Sequence, residues 1–238
     1  MARRASALAC ALLAGLVAAG PIGAQGEAAR GRTLFVEGCS ACHGLQANGI
    51  SGVAPSLHGV GAAAADFYLS TGRMPFSEQT GDEPFRSEPA YSRRDIDAIV
   101  AYVASLGGPE IPRVEPEQGN LRLGLKAFTE FCAGCHQVVA QGGVVTGAIP
   151  PDLDRATPTQ VAEAVRVGPY VMPAFDERTI DQHTLDSIAR YVEYTKHPDD
   201  RGGWAIGHLG PIPEGLVAWL IALAALVVVA RMLGERSK

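Results

Sequence analysis

Cysteine is scarce in this chain: there are five in 238 residues. Four of them fall into two short clusters, and the fifth, Cys10, lies in an N-terminal apolar stretch, so no thiol is left for a disulfide framework. Methionine is scarcer still, with four residues in all. An excess of basic charge is also missing, because 20 Lys and Arg stand against 25 Asp and Glu. The formal net charge of -5 argues against nucleic acid as a partner, and an acidic surface suits a basic docking partner. Long apolar runs are confined to the two ends of the chain.

What is there is a pair of Cys-x-x-Cys-His signatures, Cys39-Ser40-Ala41-Cys42-His43 and Cys132-Ala133-Gly134-Cys135-His136. This spacing is the pattern for covalent attachment of a c-type haem, in which two thiols form thioethers and the next histidine coordinates iron. Zinc is the rival reading, since four-cysteine and three-cysteine, one-histidine sites use the same paired spacing. A zinc site has no need of a histidine directly after the second cysteine, twice. The expectation is therefore two covalently bound haem c groups, held by Cys39, Cys42, Cys132 and Cys135, with His43 and His136 on iron.

The signatures belong to an internal repeat. Gly31-Arg32-Thr33-Leu34-Phe35 precedes the first, and Gly124-Leu125-Lys126-Ala127-Phe128 holds the same position before the second. Glycine and phenylalanine at that spacing share one face of a helix. Each copy closes with an amphipathic stretch. Ile96, Ile99, Val100 and Val103 in one copy, and Leu185, Ile188, Ala189 and Val192 in the other, follow the i, i+3, i+4, i+7 stripe. The glycine is expected to let the closing helix approach, at its tyrosine (Tyr102 or Tyr191). Ser92 with Asp95, and Thr179 with Gln182, read as capping boxes at the starts of the closing helices.

A haem that transfers electrons needs a second axial ligand, and a thioether sulfur can supply it. With Met1 the initiator and Met232 in the C-terminal apolar run, Met74 and Met172 remain, one per copy. Both precede proline, in Arg73-Met74-Pro75-Phe76 and Val171-Met172-Pro173-Ala174-Phe175, and proline disfavours helix at the residue before it. A methionine is more often core filler. Here that reading requires the same coincidence twice. His58 and His183 are the competitors; neither has a counterpart in the other copy, and roles at solvent or a haem propionate fit them better. His197 and His208 fall in a linker.

The ends set the expected organisation. Arg3 and Arg4, an apolar run from Ala5 to Ala19, and small residues around Gly23-Ala24-Gln25 have the layout of a secretory signal peptide, with an uncleaved anchor as the alternative. Gly215 to Leu233 is apolar apart from Arg231, and at about 1.5 Å per residue its core crosses most of a hydrocarbon layer about 30 Å thick. Arg231, Arg236 and Lys238 at its C-terminal edge put the tail in the cytoplasm and the haem domains on the extracytoplasmic side of the cell membrane. The predicted layout is a signal peptide (1–24), a first haem domain (25–107), a linker (108–119), a second haem domain (120–196), a further linker (197–214) and a transmembrane helix (215–234). Residues Ser77 to Ala90 form an insertion that the second copy lacks, expected as a surface loop with docking to a partner as a further hypothesis.

Each repeat resembles a class I cytochrome c domain: a Gly-x-x-x-Phe helix, Cys-x-x-Cys-His, a Pro-x-Leu segment, a methionine loop and a closing helix with tyrosine. The implied fold is mainly α, two tandem class I cytochrome c domains plus one C-terminal transmembrane helix. The Pro-x-Leu segments are Pro55-Ser56-Leu57 and Pro151-Asp152-Leu153. In that family the proline carbonyl accepts a hydrogen bond from the axial histidine, which gives Pro55 and Pro151 that role by position. The glycine usual before that proline is Ala54 in one copy and Pro150 in the other. The whole chain is similar to the dihaem cytochrome cc subunits of actinobacterial menaquinol-cytochrome c reductase. The narrower phrases are Ser70-Thr71-Gly72-Arg73-Met74-Pro75, Gly168-Pro169 before Met172-Pro173, and Gly207-His208-Leu209-Gly210-Pro211-Ile212-Pro213-Glu214-Gly215. The resemblance implies partners: a haem b subunit, a Rieske iron-sulfur subunit as electron donor, and a terminal haem-copper oxidase as acceptor. It also implies that no bond-making site is carried by this chain alone. A dihaem peroxidase, and a stand-alone membrane-anchored shuttle or oxidase subunit, are the alternatives.

Overall fold

Apolar residues three and four apart build the helices of this chain, and the computed structural model describes residues 22–76, 85–198 and 211–235. Helix α1 (Ile22–Gly38) leads into the single turn α2 (Ser40–His43), then α3 (Gly61–Ser70) and α4 (Arg93–Ala104). After a 3-10 turn at Pro116–Gln118 the second repeat follows the same order. Its helices are α5 (Leu121–Phe131), α6 (Ala133–His136), α7 (Pro158–Val167) and α8 (Gln182–Lys196). Among the described residues there is no strand, only isolated bridges between Ile50 and Ala54 and between Val145 and Ala148, each in the loop after a Cys-x-x-Cys-His turn. The predicted signal segment lies outside the described residues except for 22–24, which are already part of α1.

In each repeat the first helix crosses the last. Phe35 and Phe128 are 0% and 1% exposed. They meet Tyr102 and Tyr191 with ring centroids 5.1 and 5.3 Å apart, a tilted geometry that aromatic pairs favour. Burying each phenylalanine stabilises the crossing by about 2 kcal/mol. The predicted stripes are the inner faces: Ile96, Ile99, Val100 and Val103 on α4, and Leu185, Ile188, Ala189 and Val192 on α8, are all buried. The close approach at the glycines is chiefly to backbone, joined at Gly124 by the expected tyrosine. A Cβ on Gly31 would stand 1.8 Å from the Ala98 carbonyl oxygen. One on Gly124 would stand 2.0 Å from that of Ser187, with the Tyr191 Cβ 2.8 Å away. The closest contact falls one turn before the tyrosine, at the main chain of Ala98 and Ser187, because glycine leaves no side chain between the helices there.

Caps also depart from expectation in detail. Ser92 caps α4, accepting from the Asp95 N–H at 3.3 Å, but its hydroxyl donates to the Asp95 carboxylate at 2.7 Å in place of the reciprocal half of the box. At α8 the capping side chain is Asp181, which accepts from the Thr184 N–H at 2.8 Å. Thr179 instead closes a turn on Asp176, and Gln182 donates to the Arg113 carbonyl and to Asp186, both at 2.9 Å. The reciprocal capping box sits elsewhere, between Thr157 and Gln160 at the start of α7.

The described residues up to Lys196 form one compact unit, with α3 packed on α7 across the join between repeats. The stretch read as the linker is hydrogen-bonded to both repeats. The Pro109 carbonyl accepts from Ala63, the Glu115 N–H donates to Asp186 at 2.8 Å, and the Asn120 N–H donates to Ser187 at 2.9 Å. Residues 77–84 of the insertion lie outside the described residues. Its end returns to the methionine loop, where the Ser87 N–H donates to the Thr71 carbonyl at 3.1 Å and its hydroxyl to that of Gly72 at 2.5 Å. The remaining unit, 197–238, contains helix α9 (Pro211–Glu235). Its segment Gly215–Gly234 has 20 residues, a mean hydropathy of 2.5 and no buried share, and is long and apolar enough to cross a membrane.

Candidate functional site

The Cys-x-x-Cys-His segments wind into single helical turns at the ends of α1 and α5. The Cys39 carbonyl accepts from the Cys42 and His43 N–H groups at 3.2 and 2.9 Å, and the Cys132 carbonyl from Cys135 and His136 at 3.1 and 2.9 Å. A helical turn sets thiols at i and i+3 on one face and carries the next residue round beside them. In each turn the histidine is then fixed from behind. His43 Nδ1 lies 2.9 Å from the Pro55 carbonyl oxygen, and His136 Nδ1 lies 3.1 Å from that of Pro151. A carbonyl can only accept, so the imidazole proton sits on Nδ1 and Nε2 keeps its lone pair for a metal. Burial lowers the pKa of His136, which favours the same neutral form.

In the second repeat Cys132, Cys135, His136 and Met172 line one cavity, walled by apolar side chains that include Phe128, Phe131 and Leu153. In the first repeat Cys39, Leu57 and Met74 pack against the buried cluster around Phe35, Ile96 and Tyr102. The methionine loops hang from the ends of the middle helices. The Met74 N–H donates to the Tyr68 carbonyl at 3.0 Å, and the Met172 N–H to that of Pro169 at 3.0 Å. Burial pushes the Cys132 thiol up to about 12 and raises Cys39 as well, so neither is a poised thiolate. Among the described residues no three Cys, His, Asp or Glu side chains converge as a zinc site requires. Two thiols, a neutral imidazole and a thioether around an apolar cavity are the donor set that a covalently bound haem c takes.

Of the histidine competitors, His58 is hydrogen-bonded elsewhere and His183 is exposed. His58 Nε2 donates to the Gln46 carbonyl at 3.0 Å, and His183 starts α8. His208 lies outside the described residues.

Several features of the site were not expected from the sequence. Phe67, Arg73, Phe85 and Arg86, all from the first repeat, also line the cavity of the second. Arg86 donates to the Gln160 side chain at 3.0 Å and to the Arg155 carbonyl at 2.9 Å. Tyr68 and Tyr170, each a few residues before a methionine, meet edge to face across the join at 5.9 Å. Glu163 on α7 is 0% exposed, and neither of its carboxyl oxygens meets a donor among the described residues. Burial and the neighbouring Asp66 on α3 push it up to about 9, against the opposing pull of Arg93. A carboxyl raised that far keeps its proton at neutral pH, which spares the buried site a second negative charge beside Asp66. Arg93 donates to Asp66 and to Asp97, both at 2.5 Å.

Fold and donor set define a c-type cytochrome, a haem-carrying protein of electron transport. The cytochrome c family model matches residues 28–107, and the model described as "Cytochrome C oxidase, cbb3-type, subunit III" matches residues 119–192. The cytochrome bc1 complex cytochrome c subunit of Mycobacterium tuberculosis (strain ATCC 25618 / H37Rv) is 37% identical, over 87% of this chain and 77% of its own length. That of Corynebacterium diphtheriae is 32% identical over 99% of this chain and 95% of its own length. A cbb3-type cytochrome c oxidase subunit CcoP from Azospirillum sp. (strain B510) is 32% identical over 69% of this chain and 60% of its length. The chain belongs to the family of cytochrome bc1 complex cytochrome c subunits, and its role is electron transfer in a respiratory chain.

Proposed function

We propose that the chain carries two haem c groups. One is bound to Cys39 and Cys42 with His43 and Met74 on iron, the other to Cys132 and Cys135 with His136 and Met172. The observation that carries this reading is the histidine geometry: both rings are pinned through Nδ1 to a prolyl carbonyl, leaving Nε2 free beside two thiols. Haem c bound there supplies a one-electron couple. The chain's residues anchor it through two sulfurs, fix the imidazole, keep water from the cavity, and raise the potential by offering methionine sulfur as the sixth donor.

In this reading the chain is the dihaem subunit of a quinol-cytochrome c reductase. It accepts electrons from a Rieske iron-sulfur subunit beside a haem b subunit and passes them towards a terminal haem-copper oxidase. The haem domains lie outside the cell membrane and the C-terminus inside. A tether and fixed docking turn a bimolecular encounter into transfer at high effective concentration. The similarity of the second repeat to a cbb3-type oxidase subunit favours a second reading, a membrane-anchored oxidase subunit or shuttle. The subunits that copurify separate the two.

The ligand assignment is tested by Met74→Ala and Met172→Ala. Each variant is expected to keep two covalent haems and to lower one midpoint potential by on the order of 0.1 V, within the roughly 0.8 V that axial ligands command. Unchanged potentials and visible spectra contradict the assignment.

A further inference from the structure

We propose that the second haem site is completed by the first repeat, with Arg73 and Arg86 binding the carboxylates of the haem held on Cys132 and Cys135. The inference rests on the dihaem reading above.

Arg73 is only 9% exposed and lies across the Phe67 ring at 5.1 Å. Arg86 comes from the end of the insertion and reaches into the other repeat, where it grips Gln160 and the Arg155 carbonyl. Both side chains line the cavity that holds Cys132, Cys135, His136 and Met172. Two guanidinium groups thus enter an apolar cavity from outside its own repeat, and among the described residues neither forms an ion pair. Arg155 adds to the positive charge felt by Arg86, while Asp152 and Glu88 partly offset it.

Burying cations is costly unless an anion joins them. A planar fork of donors is matched to carboxylate oxygens. Arg86 spends two nitrogens on Gln160 and Arg155, and a guanidinium has five N–H donors, so it retains capacity for a further acceptor. The cavity also contains the attachment cysteines, so the anion that fits without a second ligand is the haem's own pair of propionates. Cations there also favour the reduced haem, which carries one positive charge fewer at iron than the oxidised form. Phe85 and Arg86, at the described end of the insertion, then have a function: they complete the lining of the neighbouring repeat's cofactor site.

The test is a spectroelectrochemical titration of the full-length protein in detergent, comparing wild type, Arg86→Gln and Arg86→Lys. The second haem is identified as the one whose potential stays in place in Met74→Ala. Haem content is measured first, by the pyridine haemochrome assay. Arg86→Gln is expected to lower the second haem's potential with the first haem unmoved, and Arg86→Lys to restore most of the shift. Two haems with unmoved potentials in Arg86→Gln, or equal shifts in the Gln and Lys variants, overturn the proposal and leave the dihaem reading standing. A wild-type chain without two covalent haems fails that reading itself.

Discussion

At the scale of single residues, the contacts that define the site run through main chain. Pro55 and Pro151 act through their carbonyls, which explains why Ala54 and Pro150 can replace the usual preceding glycine without loss of the histidine contact. Glu163 carries the strongest prediction at this scale. Its folded pKa of about 9 lies above the ordinary 4.5, so it adds stability that is fully present below about pH 4.5 and lost as pH rises towards 9. Asp66 and Arg93 are the charged groups facing it. Glu163→Gln is therefore expected to raise the thermal midpoint at pH 8 and to flatten its dependence between pH 5 and 9. An identical pH slope in the two proteins contradicts a buried proton there. The two Cys-x-x-Cys-His signatures stood out in the sequence because thioether attachment fixes the spacing of the two cysteines and the histidine beside them. Glu163 and Arg86 were not, since an isolated charged side chain reads as solvated until a partner surface is known.

At the scale of elements, each repeat is a crossing of its first and last helices, and in the second an apolar cavity opens beside the Cys-x-x-Cys-His turn. Glycine at that crossing is a packing requirement: at 1.8 and 2.0 Å from backbone oxygen, an added Cβ must push two helices apart. Gly31→Ala or Gly124→Ala is expected to destabilise its repeat by about 3 kcal/mol, read by thermal unfolding of the haem-loaded chain. Loss of under about 0.5 kcal/mol, the scale of an ordinary surface substitution, contradicts the close packing. The outer helices were legible from their apolar stripes, and the Gly-x-x-x-Phe match aligned the two copies. The middle helices were not. In α3, Gly61-Ala62-Ala63-Ala64-Ala65 has no clear apolar face by itself, and packing against α4 and α7 gives it one. The caps of α8 were misread for a related reason, because Asp, Ser and Thr residues crowd that turn and several local bonds compete.

At the scale of the molecule, the two repeats form one unit joined by α3 with α7, by Tyr68 with Tyr170 and by Arg86. That arrangement suits the proposed relay, since it holds the two Cys-x-x-Cys-His turns in a fixed relation, and α9 is long and apolar enough to cross a membrane. The shared compact unit was not visible in the sequence, where Gly107-Gly108-Pro109 marks an interdomain linker but nothing marks the contacts between the repeats. The most direct test of the central claim is to purify the tagged full-length protein from its native membranes in mild detergent, quantify covalent haem, and add a menaquinol analogue. The account predicts two haems per chain, both reduced by the quinol, in a preparation that contains haem b and Rieske subunits. A chain that purifies alone with its two haems indifferent to quinol contradicts it.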